Sequence, residues 1–132
     1  MQKPHKKLDV WKLSMDLAVR VYKASDLFPR EERYALTDQA RRSATSVPTN
    51  IAEGAARQTA KEFIQFLHMA QGSLSEMDTL LELALRLGYL SSRDWETLVP
   101  NMERVDKMLS GLIRHQKALP REPARRRRSP HA

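Results

Sequence analysis

Apolar residues recur with a helical period in four segments of the chain, and no segment alternates as a strand does. The first runs from about Asp9 to Ser25. Its stripe is Val10, Leu13, Leu17, Ala18, Val21 and Ala24, with Asp9 placed to cap it. Asp26-Leu27-Phe28-Pro29-Arg30 breaks the pattern, because the residue before a proline avoids the α region. The second segment, about Glu31 to Glu53, steps through Leu36, Ala40, Ala44, Val47 and Ile51. Pro48 falls inside it, which predicts one kinked helix, the rival being a break at Ser46 with Pro48 in the first turn of a new helix. Gly54 follows, suited to a left-handed C′ position.

The third segment has the clearest pattern. Thr59-Ala60-Lys61-Glu62 forms a capping box. Phe63, Leu67, Ala70, Leu74, Met77, Leu81 and Ala84 then alternate steps of four and three, a heptad seam closed by Gly88. About 29 residues of helix span roughly 43 Å. Gly72 lies in mid-helix, where it costs about 1 kcal/mol relative to Ala, and this predicts close approach of a neighbouring helix. The fourth segment opens with Ser91 and Asp94 as a cap pair and Leu90 and Trp95 as a hydrophobic staple. Its seam is Trp95, Leu98, Met102, Val105, Leu109 and Leu112. Pro100 falls on the polar side, and the pattern fades near Ala118. Links of four or five residues favour antiparallel neighbours. The predicted fold is therefore all-α, an up-down-up-down four-helix bundle. Residues 1–8 read as a basic arm, 9–118 as the bundle, and 119–132 as a disordered Arg-rich tail with almost nothing to bury.

Composition narrows the function. The chain has 132 residues, enough for one domain with one core. It has no cysteine, which excludes disulfides, thiolate metal sites and cysteine nucleophiles. Four glycines argue against a Gly-rich phosphate loop. The 23 Lys and Arg exceed the 16 Asp and Glu by seven, and residues 119–132 contribute five Arg against one Glu. Such an imbalance concerns partners rather than fold and points to a polyanion. No apolar run near Met1 resembles a signal segment and no stretch is long enough to span a membrane, so a cytoplasmic protein is expected, with no membrane partner.

Catalytic and metal-binding motifs are lacking. His5, His68, His115 and His131 fall in neither H-E-x-x-H nor E-x-x-H spacing, so no metal site and no cofactor is expected. Gly72-Ser73-Leu74-Ser75-Glu76 is not a nucleophile elbow. Asp78, Glu82 and Arg86 read as a solvated face with one helical ion pair. The sequence thus predicts a protein that is not an enzyme. Met69, Met77, Met102 and Met108 read as core filling, and Trp11, Tyr22, Phe63, Phe66 and Trp95 as packing residues. Tyr34 sits among charges and suits turn packing, or stacking on a base. Arg41 and Arg42, with Arg57 and Lys61 just beyond the second segment, form one cluster of interest, which intrachain salt bridges would also explain. Glu53 stands at a helix C-terminus, where the macrodipole disfavours an anion. Arg57, or an arginine of a neighbouring subunit, would compensate it.

The run Phe28-Pro29, Glu32-Arg33-Tyr34-Ala35-Leu36-Thr37, Gln39-Ala40-Arg41-Arg42-Ser43-Ala44 and Ser46-Val47-Pro48-Thr49-Asn50-Ile51-Ala52-Glu53-Gly54 carries a long ordered signature. Glu62-Phe63, Phe66-Leu67, Ala70, Gly72-Ser73-Leu74, Glu76 and Leu87-Gly88-Tyr89-Leu90 continue it. Over about residues 8–115 the chain resembles the bacterial four-helix-bundle proteins encoded in 23S rRNA intervening sequences. Relatives of that family include the accessory variability determinant of diversity-generating retroelements. The resemblance implies a small helical bundle assembled as a ring, most simply a homopentamer, with a basic surface. Its retroelement relatives bind nucleic acid and a reverse transcriptase. It nominates Arg41, Arg42 and Arg57 as phosphate contacts, and Arg41, Asn50 and Glu53 as subunit contacts; Lys61 joins the phosphate contacts as a member of the same basic cluster. Arg125, Arg126, Arg127 and Arg128 join the phosphate contacts on charge alone. Ser43 departs from the family pattern, standing where a small apolar residue is usual, and Pro100 and the Arg tail look particular to this chain. The expected function is nucleic-acid binding (RNA or DNA) through phosphates without sequence readout. The alternative is a scaffold for a protein partner such as a reverse transcriptase.

Overall fold

A computed structural model describes residues 1–120. The expected disordered tail, with its Arg125–Arg128 run, lies outside the described residues. Four helices account for almost all of the regular structure: α1 (Asp9–Ser25), α2 (Leu36–Ala55), α3 (Ala60–Arg86) and α4 (Ser92–Ala118). Short 3-10 turns occupy Pro4–Lys7 and Arg30–Glu32, and no strand occurs among the described residues. Each helix packs on two others. α2 lies against α1 and α3, α4 lies against α3 and α1, and neither diagonal pair brings its Cα atoms within 8 Å.

The apolar stripes form the core. Leu17, Val21, Ala40, Ala44, Val47, Ile51, Leu67, Met77, Leu81, Val105 and Leu109 are essentially inaccessible to solvent. In α4 the last buried position is Ile113, and Leu112 packs only at the edge of the core. A true helical period drifts off a strict 3.5-residue seam toward the end of a long helix. Met69 is 52% exposed, so it does not fill the core. Tyr22 is also exposed, and Tyr34 is 88% exposed rather than packed into its turn. Small hydroxyl residues close gaps between the helices. The Ser14, Ser25 and Ser43 side chains are buried and donate to the carbonyls of Trp11, Tyr22 and Ala40 at 2.8, 3.1 and 2.8 Å. Ser43 is therefore accommodated at its apolar-pattern position by a local hydrogen bond that leaves nothing unsatisfied.

Several helix ends differ from expectation. Leu8, not Asp9, is the N-cap of α1, and no side chain caps it. α2 begins at Leu36 rather than near Glu31, because Pro29 sets up the 3-10 turn and Ala35 sits at φ −123°, ψ −105° before the helix. The first link is thus ten residues long, not four or five. Pro48 lies buried inside a continuous α2, so the helix does not restart there. The caps of α3 and α4 are as expected. The Thr59 hydroxyl accepts from the Glu62 N–H at 3.2 Å, and Ser91 accepts from the Asp94 N–H at 3.0 Å. Gly88 has φ +80°, the left-handed value that lets α3 end.

Two glycines depart from expectation. Gly54 is not a left-handed terminator but a buried residue within α2. A Cβ there would lie 2.7 Å from Phe66 Cβ and 2.9 Å from Phe63 Cδ1, so α3 approaches α2 here too closely for a side chain. Gly72, expected to mark such an approach, has open space where its Cβ would be.

Candidate functional site

The predicted contact residues fall in three places. Arg41 is held within the chain. Its Nε donates to Ser25 Oγ at 2.8 Å, and its Nη2 to Asp26 Oδ1 at 2.7 Å and to the Tyr22 carbonyl at 3.3 Å. Its guanidinium also lies 4.8 Å from the Tyr22 ring centroid. A cation donating to a carbonyl at the last turn of α1 complements that helix's dipole and ties α1 to α2. Arg42 points outward and pairs with Asp38 at 3.0 Å across one turn. At 80% side-chain exposure that pair is worth a few tenths of a kcal/mol and leaves the arginine available.

Arg57 and Lys61 flank the turn between α2 and α3. The Arg57 guanidinium lies 4.7 Å over the Phe66 ring. It does not pair with Glu53, so the expected local compensation of that carboxylate is not what the structure contains. Among the described residues, neither Arg57, Lys61 nor Glu53 has an ion-pair partner. Asn50 faces α3. Its Nδ2 donates to the Ser46 carbonyl at 2.8 Å and to Ser46 Oγ at 3.0 Å, and Ser46 Oγ shares a 2.8 Å hydrogen bond with Ser73 Oγ.

A groove of about 730 Å³ runs between α1 and α2. Arg41 and Glu53 both line it, so the structure brings these two predicted interface residues to one surface and leaves Asn50 out. Its apolar wall on α1 is Trp11, Met15, Val19 and Tyr22, with Pro48 and Ala52 opposite on α2. Met15, Val19 and Tyr22 are 41, 50 and 42% exposed. The sequence reading missed this wall because it followed the main stripe of α1. The signal was a second apolar stripe stepping by four, four and three. The 3-10 turn of the N-terminal arm closes one end, where His5 meets the Trp11 ring edge-on at 4.9 Å.

Two groups among the described residues have displaced proton affinities. Partial burial, reinforced by Glu82 and Glu103, raises the Asp78 carboxyl above its ordinary value. Partial burial also raises the Tyr89 phenol, with help from Glu32, whose carboxylate accepts from the phenol at 3.3 Å. Neither group lies in the groove, and no cluster of three His, Asp or Glu suited to a metal occurs among the described residues.

These features define a class: a single-domain four-helix bundle with an apolar groove between two of its helices. Residues 6–111 match the family described as 23S rRNA-intervening sequence protein, and the chain belongs to that family. It is also similar to the crystal structure of a protein of unknown function from the S23 ribosomal protein family of Bacteroides thetaiotaomicron. The TM-score is 0.73 and the identity 28%, covering 79% of this chain and 97% of that one. The comparison with curated proteins gave no match.

Proposed function

We propose that this protein is a non-enzymatic nucleic-acid-binding accessory protein that contacts phosphates through Arg and Lys without reading sequence. The observation that carries the reading is an excess of seven positive charges on a chain where exposed cations such as Arg57 and Lys61 have no anionic partner among the described residues. Its helices run antiparallel, up-down-up-down. Four contacts support this order for α2–α3 and α3–α4: Ser46 meets Ser73 while Gly54 meets Phe63, and Asp78 lies near Glu103 while Gln71 donates to Ser110 at 2.9 Å. The working form is a homo-oligomer, a pentamer by family resemblance, with the α1–α2 groove as the subunit contact. It acts in the cytoplasm. No helix among the described residues is long and apolar enough to cross a membrane.

The test is a salt titration of binding to duplex RNA and duplex DNA, with the full chain and with a full-length variant carrying Arg125→Gln, Arg126→Gln, Arg127→Gln and Arg128→Gln. The expected result is a log–log salt slope several units deep that persists, reduced, in the variant. Binding that ignores salt, or no binding by the wild type, overturns the reading. The apolar groove favours one alternative, a scaffold for a protein partner such as a reverse transcriptase. Binding that disappears entirely with the four tail arginines would favour that role for the bundle.

A further inference from the structure

The described residues distribute their charge along the bundle axis very unevenly. The N-terminal arm contacts both α1 and α2, and His5 reaches the groove beside Ala52 and Glu53. The arm therefore sits at the end of the bundle where α2 passes into α3. The C-terminal end of α4 is at the same level. Gln71 bonds to Asp106 and Ser110, and Asp78 lies near Glu103, so positions on α3 and α4 run in opposite order. Ten residues back from Gln71, about 15 Å along the helix, Lys61 is level with Lys117. Three stretches thus meet at one end of the molecule: residues 1–12, 53–62 and 114–118.

Those stretches carry eight Lys and Arg against three Asp and Glu. The rest of the described chain carries ten against twelve. The whole positive excess of the described residues lies at one end, and the remainder is slightly acidic. Ion pairing follows the same division. The three ion pairs among the described residues, Arg41–Asp26, Arg42–Asp38 and Arg86–Glu82, all lie outside these stretches. At the basic end, Lys3, Lys6, Lys7, Lys61, Arg114 and Lys117 are exposed and unpaired among the described residues. Arg57 is committed only to the face of Phe66, which leaves its charge unneutralised.

We infer that this basic end is the phosphate-contacting site of the protein, and that it docks on a nucleic-acid backbone. This inference rests on the nucleic-acid reading above and locates it away from Arg41 and Arg42. Cations on three separate chain segments reach several phosphates at once. A rigid bundle presents them without the ordering cost that a flexible arm alone would carry. Among the three stretches Met1 is the one large apolar side chain that stands exposed, too little for an inserting apolar face, so a lipid surface is the disfavoured polyanion.

The experiment compares three full-length proteins on a 20-base-pair RNA duplex and on vesicles containing phosphatidylserine, across a salt series. One is wild type. One carries Lys6→Gln, Lys7→Gln, Lys61→Gln and Lys117→Gln, taking charge from all three segments. One carries Arg20→Gln, Arg30→Gln, Arg33→Gln and Arg93→Gln, removing equal charge elsewhere. The expected result is a loss of at least tenfold in RNA affinity for the first variant. Its salt slope should also be shallower, by about 0.9 for each phosphate it no longer neutralises. The second variant stays close to wild type. A Lys→Arg version of the first set should restore binding, and unchanged thermal midpoints exclude a folding defect. Equal losses in both variants, or none in the first, overturn the assignment while leaving nucleic-acid binding intact. A wild type that binds vesicles but no nucleic acid overturns both.

Discussion

At Gly54 the side chain is absent because α3 occupies its place. An added Cβ meets Phe66 Cβ, an atom close to the backbone that cannot swing aside, as well as the Phe63 ring. Gly54→Ala is expected to cost about 1–3 kcal/mol through overpacking. Gly72→Ala, with free space around it, is expected to stabilise by about 0.5–1 kcal/mol through helix propensity. Urea titration of the two variants checks both signs. The sequence placed glycine at each position but not its reason, since a close approach depends on which residues of another helix lie opposite. Asp78 gives a pH prediction of the same local kind. Its carboxyl is raised, so the folded state holds that proton more tightly than the unfolded chain does. Ionisation then weakens the fold as pH rises through the folded value, and the penalty is complete above it. Asp78→Asn should raise the thermal midpoint at neutral pH. That gain should shrink as the pH is lowered toward the ordinary carboxylate value of 3.8.

Helices are the level at which the chain was most legible. All five stripe positions of α2 are buried, and the caps of α3 and α4 stand where Thr59 and Ser91 put them. What could not be read was the join between α1 and α2. Arg41 belongs by sequence to a basic doublet, yet it functions as a brace between helices, because Ser25 and Asp26 come within reach only after the chain has folded back. Arg41→Ala should destabilise the protein by about 1–2 kcal/mol, the cost of losing charge-assisted bonds in a half-buried setting. Arg42→Ala, which loses only a solvent-exposed pair, should change stability by less than about 0.5 kcal/mol. Chemical denaturation of the two variants side by side separates brace from surface charge, and equal effects would contradict the difference drawn between them.

The whole molecule combines a closed core with an open apolar groove on one flank, and the α1–α2 surface is where a second copy is expected to seat. The groove escaped the sequence reading because its α1 wall is the minor stripe of a helix whose major stripe already explains the fold, and its α2 wall mixes apolar with polar residues. Val19→Glu would place a charge in that wall at a position half exposed in the isolated chain. It should reduce the solution mass toward the 15.2 kDa of one chain while helix content is retained. Glu53→Ala should act in the same direction, more weakly. Light scattering beside circular dichroism reads both, and a wild type already at one chain's mass would remove the oligomer. The packing of α1 on α4 has a consequence of another kind. The first and last helices are neighbours with no covalent link between them, while α3 and α4 are joined by a short turn that is exposed at Leu87 and Gly88. A circularly permuted chain, cut at that turn and tethered from α4 to α1 by a few Gly and Ser residues, should fold to the same bundle with its helices in the order α4, α1, α2, α3.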